Sequence, residues 1–92
     1  MRIIKELTIE DINIAIFKME NRFTMKLEWQ RLEQVFKLDN RENVETVDDV
    51  LALISKEFIN GAQKVFALMH DHKSQSLAAI EELGEEEFPE II

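Results

Sequence analysis

The chain has no cysteine and no tyrosine, one proline and only two glycines in 92 residues. Without cysteine there is no disulfide framework, no thiolate metal site and no thiol nucleophile. Scarce glycine and proline leave little to build the many turns of a sandwich or barrel, which favours helices. No apolar run approaches the roughly 20 residues of a membrane span. The start, MRIIKELTIED, lacks a signal-peptide core. These absences predict a cytoplasmic chain that stays off the membrane. Clustered Lys and Arg are missing too, so nucleic acid is not expected as a partner. Nor is there a P-loop, GxGxxG, GxSxG or HExxH pattern. No enzyme activity and no cofactor are expected.

What is present is a globular composition, 46% hydrophobic and 33% charged, in a chain of one-domain size. The net charge of −8 is unevenly placed. Residues 81–90 hold six Glu and no base, leaving thirteen acids and eleven bases before them. The reading is a near-neutral domain over residues 1–83 and an acidic, flexible tail over 84–92.

The organising stretch is Thr46 to His72. Val47, Leu51, Ile54, Phe58, Ala62, Val65 and Met69 recur every three or four residues, the repeat of one helix face. Thr46 is placed to cap it, with Asp48 and Asp49 in the first turn. Asn60-Gly61 is a turn dipeptide within it, but the apolar phase continues through, so one helix, kinked there at most, is expected. Upstream, Thr8 with Glu10 and Asp11 reads as a helix start, with Leu7 and Ile12 as a hydrophobic staple. A last short helix follows Ser74 or Ser76, with Gly84 as its stop. The resulting expectation is an all-α bundle of four helices, about 9–21, 25–38, 46–72 and 75–83.

A second reading fits the first third of the chain. Ile12, Ile14 and Ile16 alternate with Asn13 and Ala15. Phe23, Met25, Leu27 and Trp29 alternate with Thr24, Lys26 and Glu28. Both runs suit strands, with Glu20-Asn21-Arg22 as the turn. The alternative fold is α+β, an N-terminal β-hairpin followed by helices. Absence of glycine from that turn weighs against it.

The candidate partner-binding residues are Trp29, Phe36, Phe58, Phe66, Met69, Phe88, Ile91 and Ile92. Each has a plainer reading. Trp29, Phe36, Phe58, Phe66 and Met69 lie at helical spacing and suit a core, where Phe58→Ala and Phe66→Ala would each cost about 3–5 kcal/mol. Phe88, Ile91 and Ile92 stand among Glu, as in an acidic linear motif that docks in an apolar groove, or in an end that only aids solubility. His70-Asp71-His72 invites a metal reading. Helical residues two apart diverge, though, and no metal is expected.

Three segments carry a family resemblance: RFTMKLEWQRLEQVFKL from Arg22, TVDDVLALISKEF from Thr46, and SQSLAAIEELGEEEFPEII from Ser74. In order and texture they resemble the small tail assembly chaperones of long-tailed phages, with Arg31, Leu32 and Glu33 matching an arginine-leucine-glutamate helix. The resemblance implies a non-enzymatic helical protein that shields an apolar partner during assembly and self-associates. The functional expectation is a protein-binding module of that kind, with another protein as partner and homo-oligomerisation through the central helix. The competing expectation is an acidic inhibitor or immunity-type protein that blocks a basic surface of an enzyme.

Overall fold

A computed structural model describes residues 2–83. The chain is α+β, not an all-α bundle. Strands β1 (Arg2–Ile9), β2 (Ile12–Met19), β3 (Arg22–Trp29) and β4 (Leu32–Leu38) form one antiparallel sheet in chain order. A single 3-10 turn, Asn40–Glu42, leads to helix α1 (Val47–Leu53) and then to α2 (Lys56–Leu83). The expected helices over 9–21 and 25–38 are therefore strands. The hairpin alternative is correct over β2 and β3 but covers only half of the sheet.

The inward residues alternate along the central strands. Ile12, Ile14 and Ile16 on β2 and Phe23, Met25 and Leu27 on β3 are all at most 1% exposed. Ile14 lies across from Leu27 and Ile16 from Met25, so neighbouring strands stack their apolar side chains on one face. A side chain of this size buried from water contributes about 1.5–3 kcal/mol, and six of them fix the register, since a one-residue slip would turn them all outward.

The three turns are two residues long: Glu10-Asp11, Glu20-Asn21 and Gln30-Arg31. Glu10, Asp11, Glu20, Gln30 and Arg31 all have positive φ. This is the conformation that tight hairpins require and that glycine or asparagine usually supplies. Here the flanking strands impose it. Thr8 and Leu7 accordingly belong to β1 rather than to a helix start. The Thr8 hydroxyl donates to Asn13 Oδ1 across the strands at 3.0 Å.

The loop after β4 is tied by Asp39. Its carboxylate accepts from the Arg41 backbone N–H at 2.9 Å and pairs with the Arg41 guanidinium at 2.8 Å. The Arg41 side chain, its backbone N–H and its charge hold the Asp39 carboxyl far below the usual carboxylate range. Thr46 caps α1 as expected. Its hydroxyl accepts from Asp49 N–H, and Asp49 Oδ2 accepts from the N–H groups of Glu45 and Thr46. Those two bonds lower the Asp49 pKa.

The stretch 46–72 is not one helix. It breaks at Ile54, whose φ and ψ are −82° and 71°. Ser55 then starts α2: its hydroxyl accepts from Phe58 N–H at 3.1 Å and its carbonyl from Ile59 N–H at 3.0 Å. Gly61 sits within α2 without a turn. The separate last helix expected over 75–83 is the far end of the same α2. The tail over 84–92 lies outside the described residues.

The helices cover one face of the sheet. Val50 of α1 and Ile59, Ala62 and Phe66 of α2 close the core. Gln34, on the inward row of β4, donates its amide to the Ala62 carbonyl at 3.0 Å. At 28 residues α2 is roughly 42 Å long, longer than the sheet it crosses. The radius of gyration is 17.2 Å, against about 12 Å for a compact chain of this size.

Candidate functional site

Five of the sequence-predicted binding residues lie along the seam between sheet and helix, as two separate aromatic pairs and a methionine. Trp29 ends the inward row of β3, and its ring centroid is 5.8 Å from that of Phe66. Phe66 is 1% exposed and belongs to the core. Phe36 on β4 stands 5.6 Å from Phe58 on α2. Met69 is half-buried against the same core. These aromatics fasten α2 to the sheet. Only Phe36, at 37% exposure, presents a substantial part of its surface to water. Phe88, Ile91 and Ile92 lie outside the described residues.

His70 and His72 are not brought together. His70 packs edge-on against Trp29 with centroids 6.2 Å apart, while His72 is exposed further along the helix. Among the described residues no three His, Cys, Asp or Glu side chains are grouped so as to hold a metal.

Two surfaces that the sequence reading did not single out are apolar and open. The first is the outer face of the sheet. Ile3, Met19 and Val35 are about half exposed there, and Lys26 lies over the Phe17 ring at 5.8 Å while pairing with Glu33 at 3.2 Å. A shallow groove of about 460 Å³ runs between β1 and β3, lined by Ile3, Glu6, Asn13, Phe17, Lys26 and others. Its apolar walls alternate with charges already partly paired.

The second is the far end of α2. From His70 through Glu81 every described side chain is exposed. Leu77 is 51% exposed and Ile80 40%. Phe66, Lys73, Leu77 and Ile80 follow at steps of seven, four and three, so they share one face of the helix. The face that buries Phe66 against the sheet thus continues about 20 Å beyond it. Val65, 43% exposed, and Leu68, 69% exposed, lie about 100° and about 160° round the helix from Phe66 and do not extend this face. The sequence signal was the phase itself, which runs from Phe66 to Ile80 across the expected helix boundary near Lys73.

No protein-family model matches the chain, and no curated protein or solved structure matches it either. Nothing therefore bears on the resemblance to phage tail chaperones. Residues 22–38, expected to lead into a helix, form two strands. The helical-bundle description is corrected to a sheet with two helices, and the chaperone and phage-assembly terms are set aside with it. No helix among the described residues is long and apolar enough to cross a membrane.

Proposed function

We propose that this chain is a non-catalytic protein-binding module that engages another polypeptide along the free end of α2. The observation that carries this reading is that Leu77 and Ile80, on the helix face that buries Phe66, stay exposed past the edge of the sheet. An isolated helix of about 13 residues is marginal in water, and among the described residues Leu77 and Ile80 enter no core. Helices that keep an apolar face at i, i+3 and i+4 spacing are read by grooves or by other helices.

The test is capture of partners on the immobilised full chain, with rebinding of each purified candidate at low and high salt. The expected result is a partner that stays bound at high salt and is lost on Leu77→Glu. A partner indifferent to Leu77→Glu, or released by salt, contradicts docking on α2. Release by salt would instead favour contact through acidic side chains.

A further inference from the structure

We infer that the polypeptide engaged by the free end of α2 is a second copy of this chain, paired antiparallel about Leu77. The inference rests on the docking reading above and adds the occupant and its direction.

Leu77 is the most exposed apolar side chain on the helix face that Phe66 begins, and Lys73 and Glu81 stand four residues to either side of it. Two such helices can be laid antiparallel with Leu77 against Leu77. In that register Lys73 of each helix stands beside Glu81 of its neighbour, four residues on either side of the centre. Lys73 and Glu81 are both exposed, and neither takes part in a salt bridge among the described residues. Ile80 flanks the Leu77 pair on the shared face.

Charge decides the direction. The last turn of α2 carries Glu81 and Glu82 and no base, which the negative end of the helix dipole disfavours. An antiparallel neighbour brings Lys73 to that end and sets the two dipoles in opposition. A parallel neighbour would instead set Lys73 against Lys73 and Glu81 against Glu81. Two helices overlapping for roughly 20 Å bury less than the about 1,600 Å² of a standard interface. The pair is therefore expected to be weak and reversible.

The absence of native cysteine makes a direct test available. Single variants Lys73→Cys, Leu77→Cys and Glu81→Cys are oxidised in the full chain, with sedimentation equilibrium of the unmodified chain in parallel. The expected result is a concentration-dependent dimer, rapid self-cross-linking at position 77, little at 73 or 81 alone, and cross-linking between 73 and 81 when those two variants are mixed. Lys73→Glu and Glu81→Lys should each weaken the dimer about threefold or more, and the double reversal should restore it. Equal self-cross-linking at all three positions overturns the antiparallel arrangement. A monomer at all concentrations overturns the second copy. If that monomer still loses a rebinding partner on Leu77→Glu, the docking reading survives alone. If it does not, both fail.

Discussion

The two halves of α2 share one helix and one apolar phase, yet they stand in opposite environments. Ile59, Ala62 and Phe66 are at most 5% exposed, whereas Leu77 and Ile80 are 51% and 40% exposed. Residue type does not separate them. The near half lies over a sheet that offers Leu27, Trp29 and Leu32, and the far half lies over nothing among the described residues. An amphipathic pattern therefore states that a face needs cover, but not which molecule supplies it.

The widest separation between the halves should appear on truncating their apolar residues. Phe66→Ala removes a buried ring from contact with Trp29 and should cost about 3–5 kcal/mol in urea unfolding. Leu77→Ala should change the stability of the dilute chain by no more than about 0.5 kcal/mol. Equal costs would mean that the far half is covered within the monomer. Phe58, only half-buried, should fall between them, below the range its position on the apolar face suggested.

Next in size is the cap of the helical segment that leads into α2. Thr46→Ala leaves Asp49 N–H without its side-chain acceptor and should cost about 1 kcal/mol. An unchanged unfolding midpoint would show that α1 contributes little to closing the core over Val50.

A smaller contrast uses helix propensity. Nothing lies within 4 Å of a Cβ added at Gly61, so Gly61→Ala should raise stability by about 0.4–1 kcal/mol. Ser76→Ala, in the far half, should raise local helicity by circular dichroism and barely move global unfolding. A matching global gain from Ser76→Ala would show that the two halves unfold as one unit.

The smallest effect is expected in acid. The Asp39 carboxyl is held below its ordinary value of 3.8 by Arg41. A depressed folded-state pKa gives stability that is fully present above the unfolded value and lost as pH falls below about 4. Asp39→Asn should thus flatten the decline in unfolding midpoint between pH 5 and 3. An identical slope would show that the exposed pair contributes nothing measurable.

The fold was partly legible. Strict alternation over residues 12–16 and 23–29 recorded β2 and β3, and the choice against them rested on the missing glycine at the turn and on the helix-start pattern at Thr8, Glu10 and Asp11. Glu20, and Gln30 with Arg31 beyond β3, show that strand pairing can hold ordinary residues at positive φ. The edge strands were harder to read. In β1 the register shifts between Ile3 and Lys5, which breaks the two-residue period. In β4 an inward Gln34 interrupts it, and Leu32, Val35 and Phe36 fit a helix equally well. The break at Ile54 was hidden because Leu51, Ile54 and Phe58 keep helical phase across it, and only Ser55 marks it. For the candidate surface, the aromatics drew attention to the seam. The free face of α2 was visible only as a phase continuing beyond Lys73.

The one-after-the-next order of the strands has a consequence for how the chain is made. Each pairing closes a loop of two residues, so the sheet can assemble hairpin by hairpin with little closure entropy. The residues that roof it come later. At a synthesis rate of about 5–20 residues per second, the roughly 30 residues between Leu38 and Phe66 take roughly 1–6 s to appear. For that interval Ile14, Ile16, Met25 and Leu27 form a finished but unroofed apolar floor. The newborn chain is most prone to clump in the seconds before α2 arrives.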